Sequence, residues 1–311
     1  MENNTEPLRC EEKLVEAVHM AVKGRVREGV SASGVTTLCI GGPIQYLVTV
    51  ESVEELQALL RLLSSEGQRV HVLGHGSNLL VADIGLSGWV VRLGSAFKSV
   101  ESSAEGILVV AGATPLMSLA RKVSDSGFSG LEFAAGIPAS VGGAVFMNAG
   151  AHKGEMADRL VSVTGVLPDG KLATWRRDDL AWGYRSSGLP VGFVVTSARF
   201  RLAPGDRTEI SRRCTENLNY RRSTQPLTLP SAGSVFKNPS PDVPAGRVLE
   251  NAGLKGASIG GALVSSMHAN WIVNPEKKAT ESDVSRLIEM CQRQVRDRLG
   301  VCLEPEIKMW R

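Results

Sequence analysis

At 311 residues, with 43% hydrophobic and 22% charged side chains, the chain can build two or three packed units of about 100–150 residues each and has a globular composition. Its 35 basic and 32 acidic residues leave a net charge of +3, too even to argue for a nucleic-acid or membrane surface, so any anionic partner must be met locally. The cysteines at 10, 39, 214, 291 and 302 form no Cys-x-x-Cys, and the histidines at 19, 71, 75, 152 and 268 show no paired ligand spacing, which argues against a disulfide framework and against metal chemistry.

Met1 to Glu12 is polar and acidic rather than basic and then apolar, and no run reaches the length of a membrane span. The expected location is the reducing cytoplasm, where the acceptor pattern Asn3-Asn4-Thr5 has no consequence. Leu14, Val15, Val18, Ala21 and Val22 predict a first amphipathic helix. Val35 to Ile40 and Ile44 to Val50 read as strands around Gly41-Gly42-Pro43, and Ser52-x-x-Glu55 opens a helix running to about Gly67. Val70 to Gly74 is a strand that enters a glycine loop, Gly74-His75-Gly76-Ser77-Asn78-Leu79-Leu80. Strands follow at Trp89 to Leu93, Lys98 to Glu101 and Ile107 to Ala111, then a helix from Thr114-Pro115 to Gly127.

A second loop, Gly136 to Ala151, sets glycines, an Asn and a Ser among small apolar residues. Glycine lets a main chain approach a ligand closely and can leave N–H groups free for phosphates. Two such loops point to one elongated, phosphate-bearing ligand. Strands at Val161 to Leu167 and Lys171 to Trp175 flank the turn Pro168-Asp169-Gly170, and Phe193 to Leu202 is another strand. Composition shifts at Ala203-Pro204-Gly205. Beyond it come a charged helix from Asp206 to about Arg222, a short helix near Gly246 to Asn251, a helix capped by Thr280-x-x-Asp283 and a closing strand from Val301 to Trp310. The expected class is α+β, divided into residues 1–203 and a smaller unit, 204–311.

The first loop lacks the third glycine of a dinucleotide fingerprint, which argues against a Rossmann domain. Gly165-x-x-x-x-Gly170-Lys171 is followed by Leu172 and sits at a hairpin turn, so it is not expected to bind ATP. Ser234, in Ser231-Ala232-Gly233-Ser234-Val235-Phe236-Lys237-Asn238-Pro239, is either part of a structural loop or a proton donor helped by a neighbouring cation; it has no hydrolase elbow. Glu306 interrupts an apolar strand and is either a solvated edge residue or a buried acid in use. Arg185, beside Trp182 and Tyr184, is either a surface cation with a packed stem or a ligand for an anion.

Together these motifs resemble the UDP-N-acetylenolpyruvoylglucosamine reductase (MurB) family, flavoenzymes of bacterial peptidoglycan synthesis. The matching segments, in family order, are Thr36 to Gly42, Gly74 to Leu80, Gly136 to Ala151, Gly183-Tyr184-Arg185, Gly233 to Pro239, Ala252 to Gly261, His268-Ala269-Asn270 and Leu303 to Ile307. The resemblance implies a two-part FAD-binding domain of the vanillyl-alcohol oxidase type, its parts dividing near residues 88–100, then a smaller α/β substrate domain. It implies non-covalent FAD between the loops, with Gly74, His75, Gly76, Ser77, Asn78 and Leu79 and then Gly136, Ile137, Pro138, Ser140, Val141, Gly142 and Gly143 at its pyrophosphate. Asn148, Gly150 and Ala151 lie near the rest of the cofactor. NADPH is the implied hydride donor and UDP-N-acetylglucosamine enolpyruvate the acceptor, with Ser234 as general acid and Arg185 and Glu306 at the substrate carboxylate. The same resemblance places Tyr184, Arg222, Gln225, Lys237, Asn238 and His268 on the substrate.

Two departures stand out. His75 occupies the family's usual second glycine, and the short spacing from Arg185 to Phe193, with no tyrosine-bearing insertion after it, marks the family's compact form. The expected protein is a monomer without nucleic-acid or membrane partners. The competing readings are another flavin oxidoreductase of the same fold and a catalytically silent flavin- or nucleotide-binding protein; the presence of Ser234, Arg185 and Glu306 speaks against the silent scaffold, and whether the three converge is what discriminates.

Overall fold

The computed structural model describes residues 5–22, 25–103 and 105–311, with side chains from Glu12 onward. Asn3 and Asn4 of the acceptor pattern lie outside the described residues. The first layer is a mixed sheet in the order Val26–Ser31, Pro43–Val50, Leu86–Leu93, Val70–Val72, with the first pair antiparallel and the others parallel. Helices α1 (Thr5–Ala21) and α2 (Val53–Ser65) cover it, burying Val18, Leu56, Leu59, Leu60 and Leu63 with Val48, Trp89 and Val91. The Ser52 hydroxyl caps α2 by accepting the Glu55 N–H at 3.2 Å.

The second layer is an antiparallel five-stranded sheet in the order Leu172–Arg176, Leu160–Val166, Val194–Arg201, Ile107–Ala111, Val100–Ser102. Val166 pairs with Leu172 across the turn in which Gly170 takes φ +80°, so the P-loop lookalike is a hairpin. Helices α3 (Leu116–Asp125) and α4 (Val141–Phe146) close the core beneath this sheet. Helix α5 (Arg207–Thr224) lies back against α3 and the 3₁₀ turn Glu132–Gly136. The third layer is the sheet Ser231–Ser234, Trp271–Val273, Ala262–Val264, Ser258–Ile259, covered by α6 (Ala245–Asn251) and α7 (Glu281–Leu299). The Thr280 and Asp283 side chains accept each other's backbone N–H at 3.0 and 3.1 Å, a complete capping box, and Gly300 ends α7 at φ +68°.

One expected strand is absent and another is much shorter than expected. Val35 to Ile40 is a loop: the Thr36 hydroxyl donates to Ala32 O at 3.0 Å and to Ile40 O at 3.3 Å, Cys39 takes φ +58°, and Leu38 and Ile40 are buried in the C-terminal core. In the final segment only Lys308–Trp310 is strand, so Glu306 does not sit in the middle of one. That short strand pairs in parallel with Leu79–Val81, directly after the first glycine loop, and brings the end of the chain beside that loop. The strand Val26–Ser31 was not anticipated, and the expected Lys98 to Glu101 strand is Val100–Ser102.

Candidate active site

The two glycine loops meet: a Cβ on Gly74 would come within 2.7 Å of Ser140 Oγ. Between them runs a cleft of about 1690 Å³, larger than the ~300–1,000 Å³ of an ordinary small-molecule pocket and able to take a dinucleotide and a second ligand. The loops contribute differently. The backbone N–H groups of Gly74, His75, Gly76, Ser77 and Asn78 find no acceptor among the described residues, whereas those of Val141, Gly142 and Gly143 go to Thr114 O, Gly112 O and the Ser140 hydroxyl. The first loop therefore offers donors to an anion, and the second offers close-approach surface. Gly76 must be glycine, because at φ +70° a Cβ would lie 2.2 Å from Val35 O.

The three groups singled out for proton and charge transfer converge at this cleft. Residues 304–307 run beside the strand carrying Ser234: Glu306 N–H donates to Val235 O at 2.7 Å and Lys237 N–H to Glu304 O at 2.9 Å. Asn78 Nδ2 donates to Glu306 O at 3.3 Å from the first glycine loop. Arg185 Nε donates to Glu306 Oε1 at 2.8 Å, with both side chains largely buried, and Arg185 Nη2 donates to Gly150 O at 3.0 Å. Arg185 takes φ +56° at the tip of a turn closed by Gly183 and Ser186, a conformation that costs a non-glycine residue about 1–3 kcal/mol and marks a position held for use. Burial pushes the Glu306 carboxyl above its usual range despite the opposing pull of Arg185, Lys237 and Lys308. The Ser234 hydroxyl makes no hydrogen bond to the described residues and faces the cleft.

Three buried side-chain atoms among the described residues have no partner: Arg221 Nε, Gln225 Oε1 and Trp271 Nε1. All three residues line this cleft. Buried polar groups are paired in more than about nine cases in ten, so three orphans among the residues lining one cleft are what a site completed by a polar ligand presents. No group of three or more His, Cys, Asp or Glu suited to a metal occurs among the described residues.

Residues 225–310 match the model of the UDP-N-acetylenolpyruvoylglucosamine reductase C-terminal domain, and residues 43–176 match that of an FAD binding domain. A UDP-N-acetylenolpyruvoylglucosamine reductase of Synechococcus sp. is 44% identical over 92% of this chain and 93% of its own, and one of Halalkalibacterium halodurans is 41% identical over 96% and 98%. The chain belongs to the UDP-N-acetylenolpyruvoylglucosamine reductase family. The crystal structure of the reductase from Thermus caldophilus superposes with a TM-score of 0.79 at 40% identity, over 92% of this chain and 99% of that one. Membership makes the protein a flavin-dependent oxidoreductase, with an FAD-binding domain followed by the family's C-terminal domain. The unpaired N–H groups of the first loop, the glycine surface of the second and the size of the cleft fit FAD.

Several residues that the family resemblance assigned to ligands stand elsewhere. Gly136 and Val141 are buried behind the cleft wall, where a Cβ on Gly136 would lie 2.4 Å from Arg221 Cδ. Asn148 is fully buried: its Nδ2 donates to Gly183 O at 2.9 Å and its Oδ1 accepts the Ala157 N–H at 3.1 Å, so it braces the turn that presents Arg185. Asn148→Ala would orphan both partners and is expected to lower the unfolding free energy by about 1–3 kcal/mol in urea denaturation. An unchanged midpoint would mean that the Gly183 turn does not rest on this amide.

Arg222 is exposed and outside the cleft, whereas Gln225 lines it. Tyr184, Lys237, Asn238 and His268 are also outside its lining. Tyr184 stacks under Arg185 at 4.8 Å and accepts the Asn238 N–H at 3.4 Å; Lys237 pairs with Glu304 at 2.5 Å; Asn238 Oδ1 accepts the Ala245 N–H at 3.0 Å, and His268 Nδ1 the Asn270 N–H at 3.2 Å. The sequence reading missed Trp271 and Arg221. Of the basic residues Arg212, Arg213, Arg221 and Arg222 on α5, Arg221 alone is buried, whereas Arg212 and Arg213 are exposed and paired with Glu209. The spacing Ile210, Cys214, Asn217, Arg221 is one helix face and was the available signal.

Proposed function

We propose that this protein reduces UDP-N-acetylglucosamine enolpyruvate to UDP-N-acetylmuramate with NADPH, in the cytoplasm and as a monomer. The observation that carries this reading is the Arg185–Glu306 pair at 2.8 Å, tied through Val235 O to the strand of Ser234 and opening on the glycine-loop cleft. FAD bound there would supply the hydride chemistry that links the nicotinamide to the alkene. Gly74 to Asn78 would hold its diphosphate through backbone N–H groups, with Ser140, Gly142 and Gly143 as the facing surface.

The remaining steps belong to this chain's side chains. The Arg185 guanidinium binds the enolpyruvyl carboxylate, and that binding strengthens as negative charge grows on the carboxylate beside a largely buried cation. The incoming carboxylate competes with Glu306 for Arg185 and adds a like charge beside it, so a carboxyl already biased toward its neutral form takes up a proton and can donate a hydrogen bond. The Ser234 hydroxyl supplies the proton to the carbon bearing the ether oxygen. On this reading residues 1–203 serve the cofactor and 204–311 the substrate, with α5 reaching back across that division.

An anaerobic absorbance experiment tests the proposal. NADPH is expected to bleach the oxidised flavin band, and UDP-N-acetylglucosamine enolpyruvate to restore it without oxygen. Reoxidation only in air would favour a flavin oxidase instead.

A further inference from the structure

Arg221 is nine-tenths buried on the inner face of α5. Its stem lies over Gly136, whose missing side chain leaves the room, and neighbouring Tyr220 meets His152 edge-on at 5.6 Å. The stem is thus fixed by packing. No carboxylate among the described residues pairs with it, and its Nε has no partner of any kind. Burial lowers its pKa to about 10, with no anion opposing the change, so it stays a cation at neutral pH. One turn on, Gln225 N–H donates to Arg221 O at 2.9 Å, and the Gln225 Oε1 is orphaned on the same cleft wall. A buried, unpaired cation destabilises the fold that holds it, and it lines a cleft that takes anionic dinucleotides.

From this geometry we propose that Arg221 is a ligand-binding residue for a phosphoryl oxygen of a nucleoside diphosphate, its charge neutralised only when that ligand is bound. The inference rests on the functional reading above, which supplies two ligands with this chemistry, the diphosphate of FAD and that of the uridine sugar nucleotide. A guanidinium suits either, since it presents a planar fork to phosphate oxygens. Gln225 adds an acceptor for a ligand N–H or O–H next to the phosphate contact.

The test compares the full-length wild type with Arg221→Met and Arg221→Lys. Flavin-free protein is titrated with FAD by fluorescence quenching, holoenzyme is titrated with UDP by calorimetry, and melting is followed with and without each ligand. Arg221→Met is expected to bind one of the two at least ~30-fold more weakly, the loss typical of truncating a buried charge partner. A loss for FAD assigns the cofactor's diphosphate, and a loss for UDP the substrate's. Ligand-free Arg221→Met is expected to melt at or above the wild type, because methionine removes a buried unpaired charge while keeping the stem. Arg221→Lys retains a charge and bulk that keep the fold, and is expected to bind the same ligand more weakly than wild type. Wild-type affinity for both ligands in either variant would overturn the proposal, as would a ligand-free Arg221→Met that melts well below wild type yet binds normally. A wild type that binds neither FAD nor UDP would instead sink the functional reading, and this inference with it.

Discussion

In the Ser234→Ala variant, bleaching of the flavin by NADPH is expected at the wild-type rate, while reoxidation by the enolpyruvyl sugar nucleotide slows about 10²-fold to 10⁴-fold. The reason is local. The Ser234 hydroxyl has no hydrogen bond among the described residues, so removing it breaks nothing that holds the strand. The pairing of Ser234 with Trp271, the turn at Gly233 (φ +75°) and the Glu306 N–H bond to Val235 O all belong to the backbone. On the proposed chemistry, what disappears is a proton at the carbon that must receive one, a need that arises only in the second half of the cycle. Stopped-flow absorbance separates the halves. An equal loss in both would mean that Ser234 supports the cofactor rather than the substrate, and no loss in either would remove it from the mechanism.

Much of the site was legible in the sequence because its parts are short and local. The glycine loops, the Pro168-Asp169-Gly170 hairpin and the Thr280 capping box each depend on a few neighbouring residues, and local chemistry determines them. Where long-range contacts decide, the reading failed. Leu38 and Ile40 mimic a strand's alternation because they bury into the distant C-terminal core, while Thr36 bonds to Ala32 and Ile40 and curls the backbone into a loop. Thr37 completes the joint: its N–H donates to Gly76 O at 3.1 Å and its hydroxyl to Ser231 O at 2.6 Å, linking the first glycine loop to the strand of Ser234.

The last segment shows the same limit. Pro305 has no N–H to give a ladder, and the bonds of Glu306 N–H to Val235 O and Lys237 N–H to Glu304 O close only an isolated bridge between Pro305 and Phe236, so Leu303 to Ile307 does not extend into a regular strand. Asn148 looked like a ligand residue because an asparagine among glycines suits a ligand loop, but the Gly183 carbonyl it satisfies lies 35 positions away. A buried amide bracing a remote turn leaves no local mark.

Glu306→Gln is the sharper test of the proposed chemistry. Glutamine keeps the size of the side chain and an oxygen that can accept from Arg185 Nε, now 2.8 Å from Oε1, yet it can neither take up a proton nor carry charge. The substrate-side rate is expected to fall about 10²-fold to 10³-fold with NADPH oxidation preserved. The pH dependence gives an independent readout. Burial raises the Glu306 pKa above its ordinary 4.5, against the pull of Arg185, so in the wild type its stabilising contribution is complete below about that pH and is lost as pH rises through the raised folded value. The variant has no such loss. Its melting temperature relative to wild type should therefore increase from pH 4 toward neutrality, and the decline of wild-type substrate-side rate as Glu306 ionises should vanish. A difference in melting temperature that stays flat with pH, together with an unchanged rate profile, would mean that Glu306 is a permanently charged partner of Arg185, fixing that guanidinium in place without moving a proton.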